Sequence, residues 1–599
     1  MGLRLAGNDL DHDARGHAGP GRDPVSTPSI IALVAIALVG VASVVIGSLG
    51  VRVARSTSDF LVASRTVGAV PNAAAISGEY LSAATFLGVA GLVLREGADG
   101  LWYPIAFCTG YLALLLLVAA PLRRSGAYTI PDFAEARLHS PRLRRFCTAL
   151  VLLIGWLYLL PQYQGAGLAL TTLTSLPGWV GIVGAGVLVV LSVVAGGMRS
   201  ITFVQAFQYW LKLTALTVPA LIALALFVGS DRDLDRPTAP TFEETTTISV
   251  ETPVRLEVAA ETTLEARGTV DGRAVDGPLT WAPGVHDVDA GAELRFAAGT
   301  GVPVPAGTPT TDSEWLEPHS GGARLLEIYS ILIAGIAGTM GLPHVLVRFY
   351  TNPDGRAARR TTVVVLAMIG AVFVLVTLLG LLSRAFTPEL LVDGRTDGAV
   401  LLVPTAVLGD GWAGWLLGGL VSAGAAAAFL STSSGLVVSL AGVLFTDVLK
   451  GRLRDFRLAA LVSALVPIGP ALAVVRLDLT LTIPLVFAVS AATFCPLLVL
   501  GVWWRGLTPA GAMAGLGVGA VLSCVGVGFA LAGTVPEGSL GVLLLRPAVV
   551  AVPAAFLVMV VVSRATRTAV PLDADRTLLQ LHAPERLGLS RERLDEHSP

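Results

Sequence analysis

The sequence predicts an all-α polytopic membrane protein that carries one small β-rich polar insert. Three observations lead there. Of the 599 residues, 54% are hydrophobic and only 14% charged, with a mean hydropathy of +0.73, whereas soluble domains carry roughly 25% charged residues. The apolar residues come in blocks of about 20, the length that crosses roughly 30 Å of hydrocarbon as a helix. The stretch 230–323 is instead polar, rich in Asp, Glu, Thr, Pro and Gly, and alternates in strand fashion (TISVETPVRLEVAAETTLEARGTVDG).

The apolar blocks lie near 28–50, 71–94, 100–122, 146–173, 178–198, 201–229, 325–349, 361–383, 411–445, 458–475, 480–504, 509–531 and 546–563. This gives about thirteen transmembrane helices, with 411–445 too long for one straight crossing. The organisation read from these blocks is a tail at 1–27, spans one to six within 28–229, the insert at 230–323, spans seven to thirteen within 324–564, and a charged tail at 565–599. The first 27 residues lack the short basic start of a cleavable signal, so the first span is expected to be an uncleaved insertion signal.

Loop cations set the expected orientation. Arg52, Arg55 and Arg65 follow span one, six arginines from Arg123 to Arg145 follow span three, and Arg356, Arg359 and Arg360 follow span seven. Lys450, Arg452, Arg454 and Arg457 follow span nine, while the alternate short loops carry few cations. The N-terminus and the insert are therefore expected outside a cell (plasma) membrane and the C-terminus in the cytoplasm.

Composition also excludes functions. A net charge of −2 offers nothing to nucleic acid. Cys108, Cys147, Cys495 and Cys524 have no metal or redox spacing and read as packing. No GxxxxGK[ST] phosphate loop and no catalytic cluster occurs, so neither an ATP-driven pump nor an enzyme is expected, and no cofactor. Lysine is confined to Lys212 and Lys450, which reads as a GC-rich genome.

Three segments carry candidate chemistry. A membrane helix breaks only where its freed backbone groups find partners inside the protein or a watery cavity, and paired breaks in two repeats point to a carrier's binding site. In span two, Ser77-Gly78 is followed by Glu79, an ionisable group at membrane depth, where a bare charge costs roughly 2.5–3.5 kcal/mol on insertion scales. Either Glu79 serves structure alone, or the helix is broken and its carbonyls hold a hard cation. In span seven, Gly335, Gly338 and Gly341 precede Pro343, and His344 and Arg348 follow; close helix packing and a break both fit. Arg348, like Arg199, reads as a topology determinant at the cytoplasmic border, guidance of an anion leaving the cavity being the other reading of each. In span nine, Ser431, Thr432, Ser433 and Ser434 form a hydroxyl run; some bond back to their own helix, but four in a row cover more than one face. Neutral hydroxyls and backbone carbonyls suit a hard cation.

Six stretches carry a family resemblance: SDFLVASRTVG, GEYLSAATFLG, IPDFAEARL, GGMRSITFVQAFQ, GLPHVLVRFYTNPDGRAARR and STSSGLVVSLAGVLFTDVL. In these the chain, from about 50 to 565 apart from the insert, resembles the sodium:solute symporter family, and within it the cation/acetate and monocarboxylate symporters. The resemblance implies two inverted five-helix repeats with broken helices (LeuT-like), spans two to six and seven to eleven. It implies a cation site between spans two and nine. Counting back from Asp447 places hydroxyl ligands at Ser431 and Thr432 and a carbonyl ligand at Ala428; aligning through Leu81-Ser82 places carbonyl ligands at Gly78 and Leu81. Retention of both hydroxyls favours Na⁺, although Glu79, beside Tyr80 where some relatives carry Asp, is a coupling candidate that keeps H⁺ open. Where sugar-transporting members tend to have Asn-Gln, this chain has Pro343-His344, so a small acid is expected over a sugar. Tyr80, Thr85 and Thr339, with Tyr158 and Gln162, are the candidates for the solute, ordinary interior packing being the other reading of each. The implied function is cation-coupled uptake of a small monocarboxylate such as acetate by alternating access. Proline, pantothenate or a transport-derived sensor are the alternatives.

Overall fold

The structure, a computed structural model, describes residues 26–51, 68–174, 176–194, 197–230, 232–234, 237–250, 252–318, 321–449, 453–473, 479–532, 534–536, 538–584 and 587. Most of the N-terminal tail, most of SDFLVASRTVG, the Arg199 side chain and most of the chain after 584 lie outside the described residues.

Among the described residues, eleven helices are long and apolar enough to cross a membrane, with two shorter apolar helices at Gly178–Val194 and Thr396–Leu408. The expected count of about thirteen differs for two reasons: span two is split and its second half runs on by a short turn into the next helix, and the expected span 178–198 is the shorter helix Gly178–Val194. The long elements are α1 (Thr27–Val51), α2 (Ala69–Tyr80), α3 (Val89–Glu96), α4 (Trp102–Leu117), α5 (Pro141–Leu173), α6 (Gly178–Val194) and α7 (Gly197–Val228). After the insert come α8 (Gly322–Gly341), α9 (Pro343–Val347), α10 (Gly355–Phe386), α11 (Ala399–Leu408) and α12 (Trp412–Val443). The bundle closes with α13 (Leu453–Leu465), α14 (Leu479–Trp503), α15 (Pro509–Ala532) and α16 (Ala548–Ala565). α12 continues through one wide π turn at Leu444–Leu449, so the long block 411–445 is a single element.

Small residues let these helices approach closely. A Cβ on Gly335 would press on Ala106 of α4, and one on Gly338 or Gly341 would lie 2.7 Å from the Phe487 carbonyl oxygen or 2.6 Å from that of Ser490 on α14. The span-seven glycines are therefore packing surfaces, and the interruption itself falls beyond them, at Leu342-Pro343.

Residues 246–305 form a seven-stranded antiparallel sheet: β1 (Thr246–Ser249), β2 (Val254–Val258), β3 (Thr262–Val270), β4 (Arg273–Trp281), β5 (Gly284–Val288), β6 (Glu293–Phe296) and β7 (Val304–Pro305). The order is β1-β6-β3-β5-β2-β7, with β4 paired to β3. The β3–β4 hairpin turns on Asp271-Gly272, both at positive φ (50° and 71°), the two-residue turn whose twist matches the strands. Alternate residues Leu264, Ala266, Leu294 and Phe296 face a core shared with Leu94, Leu390, Leu391 and Val392, at the far ends of α3 and α10.

A short helix, Asp312–Leu316, fastens the sheet to the bundle. Trp315 Nε1 donates to the carbonyls of Val93 (3.1 Å) and Leu94 (3.0 Å), and Arg384 Nε donates to Asp312 Oδ1 at 3.0 Å. Gly97, at φ +58°, lies so close to the Trp315 carbonyl that no side chain fits there. At the start of α8, Arg324 reaches Glu96 (2.8 Å) and Asp99 (3.1 Å).

Candidate functional site

The site is built from two interrupted helices. α2 ends at Tyr80, and Leu81 leaves helical geometry (φ −74°, ψ 83°). The chain resumes as helix from Ala83 through a π turn, Ala84–Gly88, into α3. The helix stays regular through Gly78, so the interruption lies three residues beyond the Ser77-Gly78 pair. Gly78 instead permits close packing, since a Cβ there would collide with the Gln205 carbonyl of α7. In the second half, α8 stops at Gly341 and Leu342 is extended (φ −67°, ψ 116°) before Pro343 opens α9.

A helix that stops in the membrane leaves its last carbonyls without intrahelical donors, and lipid cannot supply them. Ser77 O accepts from Leu81 N at 3.0 Å. The next two are met by the hydroxyl run of α12: Ser431 Oγ donates to Gly78 O (2.6 Å) and Thr432 Oγ1 to Glu79 O (2.5 Å). Ser431 Oγ also lies 3.1 Å from Ala428 O. Ser434 bonds back to Leu430 O at 2.7 Å, while the buried Ser433 hydroxyl has no hydrogen-bond partner among the described residues. Gly78, Leu81, Ala428, Ser431 and Thr432 thus meet at one junction between α2 and α12.

A residue that the sequence reading left aside occupies the centre. Lys212 of α7, fully buried, donates through Nζ to Gly78 O (2.5 Å), Leu81 O (2.7 Å) and Ser431 Oγ (2.8 Å). The signal was present in the sequence, because a lysine in the middle of span six is an ionisable group at membrane depth, just as Glu79 is.

Arg348 corrects another expectation. It is not a border residue; it is 1% exposed and pairs with Glu79, 2% exposed, through Nε to Oε2 at 2.7 Å. Its remaining donors go to Thr202 Oγ1 (2.9 Å) and Gln205 Oε1 of α7. Gln205 Nε2 donates in turn to Ser431 O at 2.7 Å. The two interrupted helices are therefore tied together by a buried ion pair, and Gly435 leaves the room that the Glu79 carboxylate fills. On the same side, Asn72 Nδ2 donates to Asn352 Oδ1 (3.3 Å), and Arg123 to Asn352 O (2.5 Å) and Pro353 O (2.7 Å).

On the other side of the Leu81-Ser82 break lies a pocket lined by Tyr80, Ser82, Thr85, Tyr103, Phe107, Tyr158 and Phe487. The centre of a water molecule can reach about 30 Å³ of it, room for roughly two waters. The five solute candidates distribute as follows. Tyr80, Thr85 and Tyr158 line the pocket. Thr339 sits behind Tyr80, whose hydroxyl is 2.9 Å from Thr339 Oγ1. Gln162 lies at the break, its Oε1 accepting from Ala83 N at 3.1 Å, which satisfies one donor at the start of the resumed helix. His344 packs its ring on Tyr158 (centroids 5.0 Å apart), and neither ring nitrogen has a hydrogen-bond partner among the described residues.

Among the described residues no group of His, Cys, Asp and Glu could hold a metal ion. The membrane-buried charges at this junction are Glu79, Lys212 and Arg348, a formal sum of one positive charge.

The family model described as sodium:solute symporter family matches residues 60–257 and 308–519, about two thirds of the chain, and the gap falls on the sheet. The "Uncharacterized symporter YwcA" of Bacillus subtilis is 27% identical over 542 residues, covering 88% of this chain and 92% of that one. The "Monocarboxylic acid transporter" of Corynebacterium glutamicum is 28% identical over 538 residues, covering 84% and 86%. Among solved structures, a substrate-bound, outward-open Na⁺-coupled sialic acid symporter superimposes with a TM-score of 0.61 at 13% identity, covering 89% of this chain and 97% of its own. That likeness is one of fold.

Proposed function

The chain belongs to the sodium:solute symporter family, a family of transporters and not of enzymes, and on that premise we propose that it takes up a small monocarboxylate such as acetate, coupled to Na⁺ or H⁺ influx, by alternating access. The observation that carries the reading is the break at Leu81-Ser82: it joins, within two residues, a junction of cation-seeking oxygens to a small solute pocket. A solute in that pocket and a positive charge at that junction act on the same helix interruption, so solute binding and closure of the helices share one element.

Three features support a small anion. The pocket has room for only a few heavy atoms. The resumed helix begins at Ala83, between the pocket-lining Ser82 and Ala84, and a helix start favours negative charge. The buried charges sum to one positive, which a single carboxylate balances. A relative named for monocarboxylic acids, at 28% identity, agrees with this reading. In the proposed orientation the N-terminus and the sheet face outward and the C-terminus faces the cytoplasm. The Glu79–Arg348 pair then closes the cytoplasmic side while the pocket lies toward the outside, and transport requires this pair to part as the repeats rock.

Uptake of labelled acetate, propionate, pyruvate and proline into proteoliposomes tests the proposal, with Na⁺ and proton gradients imposed separately. Accumulation of a monocarboxylate under at least one gradient is expected. Accumulation that ignores both gradients refutes symport, and proline in place of the acids refutes the cargo.

A further inference from the structure

The oxygens at the α2–α12 junction are the kind that replace a metal ion's water shell: two backbone carbonyls freed by a break, a third carbonyl one turn back on α12, and a hydroxyl. In this chain they already hold a cation. An ammonium has three donors and no acceptor, and Lys212 spends all three on Gly78 O, Leu81 O and Ser431 Oγ. Ser431, accepting from Lys212, directs its own proton to Gly78 O or Ala428 O. Thr432 is turned away to Glu79 O. All five candidate ligands are thereby engaged, and a sodium ion placed among them would lie in contact with a like charge. Lys212 is rooted in α7, so the positive charge it brings does not leave with the cargo.

We propose that Lys212 is a tethered cation, its ammonium standing where a mobile sodium ion would otherwise bridge α2 and α12, so that this junction takes no Na⁺ in the wild-type protein. The proposal rests on the symport reading for its meaning in transport, but not for its test, which is a binding measurement. Closure of α2 against α12 is then independent of external Na⁺, and any mobile coupling ion acts elsewhere. Removing the side chain to Cβ vacates the three oxygens and hands them back to a mobile ion.

The experiment uses the purified full chain in detergent, with thermal unfolding and radiolabelled Na⁺ binding measured in NaCl against choline chloride at equal ionic strength. The wild type is expected to show the same unfolding midpoint in both salts, and Lys212→Ala to gain a midpoint increase and bound Na⁺ in NaCl. In proteoliposomes, the Na⁺ stimulation of solute uptake by Lys212→Ala is expected to exceed that of the wild type by at least about fivefold, the lower end of ordinary coupling between two sites. If Lys212→Ala does not fold, Ser431→Ala in the wild-type background decides. Na⁺ stabilisation of the wild type that disappears in Ser431→Ala overturns the proposal. Na⁺ stabilisation that survives in Ser431→Ala places that ion at another site and agrees with it. Failure of solute to accumulate under any gradient would count against symport while leaving the binding result intact.

Discussion

The Glu79–Arg348 pair offers the sharpest test of how the two interrupted helices are held. Both groups are at most 2% exposed and meet at 2.7 Å. With charge centres about 4 Å apart and an effective dielectric near 20, their attraction is about 4 kcal/mol. Removing one partner leaves the other buried without its counter-charge, which typically costs about 3–5 kcal/mol. Arg348→Met is therefore expected to lower stability by about 3–5 kcal/mol, since Glu79 keeps only Gln205 (3.4 Å) and the nearby Lys212 as favourable partners. Glu79→Gln is expected to cost at least as much, because Arg348 and Lys212 then both stay buried without a carboxylate, although the amide oxygen still accepts from the guanidinium. The double variant should be less destabilised than the sum of the two singles, with a coupling of at least about 1.5 kcal/mol. Reversible unfolding in mixed detergent micelles supplies the four free energies. Additivity within about 0.5 kcal/mol would mean that the pair does not act as a unit, and the account of a buried clasp between the helices would fall.

Three further outcomes follow from other contacts. Tyr80→Phe loses the bond to Thr339, whose own proton is directed to Gly335 O at 2.7 Å; about 1 kcal/mol of positioning, or a roughly fivefold rise in KM with little change in kcat, is expected, and an unaltered KM would remove Tyr80 from the solute pocket. Gly97→Ala forces a Cβ onto the Trp315 carbonyl at a positive φ; faster hydrogen exchange across 311–316 is expected, and unchanged protection would show that this clamp is dispensable. In the loop after α10, burial, opposed by the Arg395 amide and reinforced by Glu389, pushes the Asp393 carboxyl up to about 7 from an ordinary value of 3.8. A raised folded value means that Asp393 stabilises this loop below about pH 4, and that the contribution is lost as pH rises through about 7. Exchange protection of 387–398 should therefore fall with rising pH in the wild type beyond the intrinsic effect, and Asp393→Asn should abolish that excess; an identical profile in both proteins would exclude Asp393 as its source.

Helices and their membrane setting were legible because apolar blocks of the right length need no tertiary information. The second break was legible because Pro343 cannot donate to the preceding turn. The first was placed three residues early, since Gly78 marks a close helix contact and only the unpaired carbonyls of the following turn mark the interruption. The hydroxyl run pointed correctly to something polar, but sequence alone could not say that freed carbonyls and an ammonium were waiting there. Lys212 was hidden by averaging: one lysine in a long apolar span barely lowers its hydropathy, and a compositional explanation was at hand. Arg348 was misplaced because counting loop cations treats every arginine near a span end alike, whereas α9 is only five residues long and carries the next turn inward. α11 escaped notice because ten apolar residues are too few to cross a bilayer.

The docking of the sheet has a practical consequence. Its hydrogen-bonded anchors belong to α3 and α10, which are continuous with or packed beside the interrupted helices. Strand β4, with most of its side chains exposed, pairs with β3 off the main path of the sheet. A tilt of the interrupted helices would be passed to the sheet through these contacts. A dye placed on the exposed face of β4 would then report that tilt without entering the solute pocket, and an antibody fragment gripping the same strand would act as a brake.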